Sequence, residues 1–176
     1  VYPLRLEAHA LPFPKEFFDA IVSLDSYEYY GTDDLYLGYL SCFLRERGEI
    51  GIAVPGLMQP IEKDIPQHLT QKQSNGASFW EDECICFHTA EWWRTHWERS
   101  KRVDVLVSDS LPDGWRHWID FEKVLESSGK GRFPSVAEAL ETDAGRYIGF
   151  VRQVARRKQG IAPMNLYDPE LINRLD

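Results

Sequence analysis

The sequence predicts an α/β protein organised on a largely parallel sheet, and three observations carry that reading. Ala20-Ile21-Val22-Ser23-Leu24 is a short, partly β-branched run without polar alternation. Such a run suits a strand covered on both faces, as in a parallel sheet. Ile50, Ile52 and Val54 mark a second buried strand, with Gly51 and Ala53 on its other side leaving room for a closely packed helix. Between the two, Tyr36, Tyr39, Leu40 and Phe43 recur at helical spacing.

Taken in order, residues 1–8 carry Val1, Leu4 and Leu6 and read as a strand. Pro12 and Pro14 each fix φ and remove a backbone donor, so residues 11–14 form a turn rather than a helix. The strand at 18–25 follows. Thr32 is placed to cap a helix over 32–47, with Asp33 and Asp34 in its first turn and Arg45 and Arg47 in its last. Gly48 is its stop, and residues 48–55 are the next strand.

Residues 56–88 hold Pro60, Pro66 and Asn75-Gly76 with no regular period beyond one helical turn at 66–70. A loop this long inside a compact domain is either functional or disordered, and it is read here as a lid inserted over a ligand. Thr89 caps a helix over 90–100, which sets Trp93 and Trp97 one turn apart. A strand at 102–108, a helix at 115–127 and a helix opened by the capping-box pattern Ser135-Val136-Ala137-Glu138 come next. The last strand is 146–156. One domain therefore spans 1–158, and 159–176 is a tail whose Asp168-Pro169 pair signals a short helix.

Composition bounds the function. The chain has 176 residues, enough to bury a core, with 43% hydrophobic and 13% aromatic content typical of globular domains. Its net charge of −8, with no basic run longer than Arg156-Arg157-Lys158, argues against a nucleic-acid partner, which needs clustered positive charge. No apolar stretch is long enough to span a membrane, and no signal peptide is read. Three cysteines, an odd number, point to reduced thiols and a cytoplasmic setting. No catalytic triad, P-loop or H-E-x-x-H pattern is present, so hydrolase and nucleotide-triphosphate readings have no support.

Leu11-Pro12-Phe13-Pro14, then Phe18-Asp19-Ala20-Ile21-Val22, then Arg45-Glu46-Arg47-Gly48-Glu49-Ile50 resembles the class I S-adenosylmethionine-dependent methyltransferases. In that family a Leu-Pro-Phe turn joins strand 3 to strand 4, and a glycine turn enters strand 5. The resemblance covers residues 1–56 well and the rest in outline. It implies a Rossmann-like methyltransferase sheet present in part, strands 3 to 7, with the last strand antiparallel between strands 5 and 6. The implied cofactor is S-adenosylmethionine, with Glu7 and Ala8 at its adenine and Asp25 nearby. Glutamate at position 7 departs from the family's usual aspartate. The chain has no G-x-G-x-x-G turn, which in doubly wound folds seats the dinucleotide-like ligand. The resemblance therefore implies the carboxyl portion of such an enzyme, inactive alone, with a bare strand-4 edge that favours a homodimer.

Asp25-Ser26-Tyr27-Glu28-Tyr29-Tyr30 follows the strand end where open α/β sheets hold ligands. Methyl transfer needs an aligned nucleophile and sometimes a base, so Asp25, Tyr27 and Tyr29 are catalytic candidates. The alternative for the tyrosines is packing beneath the lid. Tyr30, His68, Trp80 and His88 are substrate-pocket candidates. Cys84, Cys86 and His88 lack the fourth ligand of a zinc site, so no metal is expected. The expected function is methyl transfer from S-adenosylmethionine to a small-molecule acceptor. The alternatives are a non-catalytic methyltransferase-like binding module and a structural or interaction protein.

Overall fold

A computed structural model describes residues 1–168. Its centre is one four-stranded sheet ordered β1-β2-β4-β3, formed by β1 (Phe18–Leu24), β2 (Leu44–Leu57), β3 (Val103–Leu111) and β4 (Ile148–Arg157). β1 and β2 are parallel, and β4 runs antiparallel between β2 and β3, as expected for the last strand. The helices are α1 (Tyr36–Ser41), α2 (Gln67–Thr70), α3 (Ala90–Arg99), α4 (Gly114–Ser128) and α5 (Ala137–Asp143).

Alternation along β2 and β4 decides which face is the core. Ile50, Ile52 and Val54 lie beside Val151 and Ala155, and α1 and α3 cover them with Leu37, Leu40, Trp93 and Trp97. Trp93 and Trp97 have no exposed surface. Burying an aromatic of this size is worth roughly 4–6 kcal/mol, from ~150–250 Å² at ~25 cal/mol per Å². The Thr89 hydroxyl accepts from Trp92 N at 3.2 Å, so the predicted cap starts α3. α4 ends at Gly129, whose left-handed φ of 64° suits a glycine.

A second apolar cluster joins the 56–88 segment to α4 and α5 through Leu69, Phe79, Cys84, Ile119, Leu140 and Ile148. His68 Nε2 lies 2.8 Å from Oδ1 of the fully buried Asp143, whose Oδ2 accepts from Tyr147 N and Ile148 N at 3.0 Å each. The segment is thus a packed layer rather than a loose flap.

Four local expectations are corrected. Residues 1–8 form no strand, and Val1, Tyr2, Leu4 and Leu6 are exposed. A strand is held by ladder hydrogen bonds, and among the described residues no neighbouring strand offers this segment one. The segment instead leans on α1, where Tyr36 Oη donates to Ala8 O and Leu11 N donates to Tyr39 Oη. The helix expected over 32–47 is confined to Tyr36–Ser41. Phe18 N donates to Phe43 O at 2.8 Å, and Leu44 already pairs with Phe18, so sheet pairing overrides the helical period. Gly48 serves the resulting bulge instead of stopping a helix: a Cβ there would sit 3.0 Å from both Asp19 O and Arg45 O.

The third correction concerns β1, which is not covered on both faces. Val22 and Leu24 are 71% and 68% exposed, because β1 is the sheet edge and no described element covers their side. Finally, the capping box does not close on itself. Ser135 Oγ accepts from Ala137 N at 3.3 Å, while Glu138 Oε2 reaches Ser74 N at 2.8 Å and ties the lid segment to α5. The helix signal at 168–169 runs out of the described residues.

Candidate active site

The carboxyl end of β1 is built to turn sharply. Asp25 N donates to Ala53 O at 3.0 Å, and Asp25 then adopts a left-handed φ of 52° that throws the chain off the sheet. Ser26 Oγ shares hydrogen bonds with Ser23 Oγ at 2.9 Å and Tyr30 Oη at 3.1 Å, which closes the turn. A 3-10 turn, Tyr27–Tyr29, follows. Gly31 comes next because a Cβ at that position would overlap the Tyr27 ring.

Three consecutive residues then take three different environments. Tyr27 is fully buried among Tyr30, Tyr36, Trp93 and Trp97, and burial pushes its phenol well above the usual range. Tyr29 is 63% exposed. Glu28 between them has no exposed surface and no hydrogen-bond partner for either carboxylate oxygen. Burial raises its carboxyl to about 7, and the Asp25 charge adds to the rise. Partial burial also raises Asp25 itself. The charge of Glu28 is felt across the site: after burial, it is the largest cause that lifts Tyr29 and that lifts the Cys86 thiol to about 11. Glu28 therefore lies close to the second 3-10 turn, Asp82–Cys86.

Tyr29 opens onto a cavity of about 850 Å³. One wall is the 77–87 stretch of the expected lid, with Phe79, Glu81, Glu83, Cys84 and Phe87. A second wall is α4, with Trp118, Phe121, Glu122, Leu125 and Glu126, and the 129–136 loop closes the third side. This volume and its mostly apolar lining with a few charged groups match a small-molecule site.

The other sequence candidates stand apart from this cavity. Tyr30 packs in the aromatic cluster around Tyr36 and His9. His68 is engaged by Asp143, and Trp80 is tied by its N–H to Leu69 O. His88 stacks on Trp92 at 3.5 Å, and Trp92 stacks on His96. Burial lowers the His88 imidazole to about 4, so it is neutral at physiological pH. Glu7 is exposed and takes His9 N and His9 Nδ1 at 2.8 and 3.0 Å. Ala8 is half-buried beside Tyr36. Each thiol donates to a nearby carbonyl, Cys42 to Gly38, Cys84 to Phe79 and Cys86 to Glu83. Among the described residues no group of three His, Cys, Asp or Glu side chains is placed to hold a metal.

Sequence reasoning missed two parts of this arrangement. Glu28 was one of a run of polar residues, and nothing in the pattern marked it as the buried one. The cavity wall from α4 and the 129–136 loop comes from residues far along the chain, with no motif.

The donor set at the β1 end fits a sulfonium cofactor on one side. Two carboxylates, Asp25 and Glu28, and an exposed tyrosine ring, Tyr29, suit a cation by charge and by cation–π attraction.

No protein-family model and no curated protein matches the chain. Solved structures do. The [4+2]-cyclase SpnF superposes with a TM-score of 0.59 at 18% identity, over 88% of this chain and 55% of SpnF. A Haemonchus contortus phosphoethanolamine N-methyltransferase 2 in complex with S-adenosyl-L-methionine gives 0.54 at 12% identity, over 87% and 36%. Geranyl diphosphate C-methyltransferase from Streptomyces coelicolor A3(2), holding Mg2+, geranyl diphosphate and S-adenosyl-L-homocysteine, gives 0.52 at 17% identity, over 86% and 50%. The chain thus spans about half the length, or less, of these three structures. The fold is that of the class I S-adenosylmethionine-dependent methyltransferases, present as an α/β sheet of four strands. Since a cyclase shares it, the fold alone does not choose the reaction.

Proposed function

We propose that the protein transfers a methyl group from S-adenosylmethionine to a small-molecule acceptor. The carrying observation is that the carboxyl end of β1 meets an 850 Å³ cavity at Tyr29, beside the buried and unpartnered Glu28. When bound, S-adenosylmethionine supplies an electrophilic methyl carbon on a positively charged sulfur. Asp25 and Glu28 provide negative charge at the strand end, and the resemblance implies that Glu7 and Ala8 contact the adenine. Tyr29 orients the acceptor at the cavity mouth. Glu28, with a carboxyl near 7, is matched to accept a proton from the acceptor at neutral pH. Residues 77–87 act as the lid wall and exclude water from the acceptor.

The described residues supply one side of a cofactor site. The 176-residue chain by itself accordingly holds the cofactor weakly and turns over poorly. A cytoplasmic setting, suggested by the odd number of cysteines, belongs to the same reading. The chain also self-associates, in this reading, through the free edge of β1. Val22 and Leu24 there continue across Gly51 and Val154 as an uncovered apolar stripe.

The test is transfer of isotopically labelled methyl from S-adenosylmethionine by the intact protein to a set of small amines, alcohols and thiols. Label should move to at least one acceptor, and Glu28→Gln should slow it by about 100-fold or more, the usual worth of a general base. An intact protein that binds no S-adenosylmethionine by calorimetry defeats the proposal.

A further inference from the structure

The acceptor's chemistry can be read from how charge is distributed around the cavity, an inference that rests on the methyl-transfer reading above. The walls are aromatic, but their carboxylates are not spent alike. Glu122 is used by the fold, accepting from Trp118 Nε1 at 3.3 Å and Val136 N at 3.4 Å. Glu81, Glu83 and Glu126 line the same space, and none has a side-chain hydrogen bond or ion pair among the described residues. Two cations also line it. The Arg132 guanidinium lies over the Phe133 ring at 5.7 Å, on the loop side, and Lys130 belongs to that same loop.

The Tyr29 side is more acidic still. Glu28, fully buried without a partner, is the next residue in the chain, and the charges of Glu28, Asp25 and Glu83 all act on the Tyr29 phenol. A carboxylate held without a partner out of water is costly unless a cation comes to it. Negative charge is therefore concentrated on the Tyr29 side, where the reacting atom must sit, and the positive charge lies on the 129–136 loop.

We propose that the cavity takes an amine with an apolar, ring-sized body. Its ammonium points to the Tyr29–Glu83 end, and its body lies between Phe79 and the α4 residues Trp118 and Phe121. An anionic or neutral acceptor leaves the carboxylates of Glu28 and Glu83 without a counter-charge, and an anion is repelled by them.

The experiment is calorimetric titration of the intact protein with three probes of one shape: phenethylamine, 2-phenylethanol and 3-phenylpropionate. The amine should bind at least tenfold more tightly than the carboxylate, with the alcohol between them. The double variant Glu81→Gln/Glu83→Gln should weaken the amine about fivefold and leave the alcohol unchanged. Phe121→Ala, at a position 57% exposed and so harmless to folding, should weaken all three probes. Preference for the carboxylate, amine binding indifferent to the double variant, or no binding of any probe would each overturn the inference. Loss of the methyl-transfer reading shows differently, as an amine that binds but never acquires label.

Discussion

Glu28 offers the most direct check on the physical picture of the site. Burial raises its carboxyl to about 7 in the folded chain, from 4.5 for an ordinary glutamate. The difference of about 2.5 units corresponds to about 3 kcal/mol, at ~1.36 kcal/mol per unit. The sign follows from which state holds the proton. Below pH 4.5 both folded and unfolded chains are protonated at this group, and no penalty is felt. Between 4.5 and 7 the folded chain keeps a proton that the unfolded chain has lost, so stability falls as pH rises. Above 7 the full penalty is present. Glu28→Gln removes the titration but keeps the shape, and the amide's own burial cost is independent of pH. Urea unfolding followed by tryptophan fluorescence, run from about pH 4 to about pH 8, gives the difference between variant and parent chain. That difference should move in favour of the variant by about 3 kcal/mol across the range, since other titrating groups cancel. A flat difference would show that Glu28 is hydrated or paired in solution, and its role as a base near neutrality would go with it.

Two further outcomes test the frame around the site. His68→Ala leaves Oδ1 of the buried Asp143 without its side-chain partner, and should cost about 1–3 kcal/mol in urea unfolding; a loss below about 0.5 kcal/mol would show that water replaces the imidazole. The uncovered stripe on β1 should make the chain dimeric at micromolar concentration by light scattering, with Val22→Lys monomeric and equally folded. A monomeric parent chain would refute self-association.

Much of the fold was legible because it is local. The apolar runs at 20–24 and 50–54 specified two strands, Thr89 specified where α3 begins, and the i, i+4 tryptophans specified its buried side. Two prolines kept residues 11–14 out of a helix, whatever the rest of the chain did, but the turn itself falls at Lys15–Glu16 rather than at 11–14. The order of motifs also pointed to the methyltransferase fold that the solved structures share.

Other features depended on neighbours that a sequence does not display. Residues 44–47 have helical spacing, yet Leu44 pairs with Phe18 of β1 and 45–47 fall in the bulge before Glu49 resumes the ladder, because ladder hydrogen bonds outweigh a few tenths of a kcal/mol of local propensity. Residues 1–8 have strand spacing, yet among the described residues no strand lies beside them to complete a ladder. In the site, the sequence by itself supplied the polar run after β1 and nothing more specific. Tertiary packing decided that Tyr27 is core, that Tyr29 faces the cavity and that Glu28 loses its water. The physical reason is that ionisation and reactivity are set by solvent exclusion and by charges brought near through space. For Glu28 the added charge comes from Asp25, and its own charge reaches a thiol as distant in the chain as Cys86.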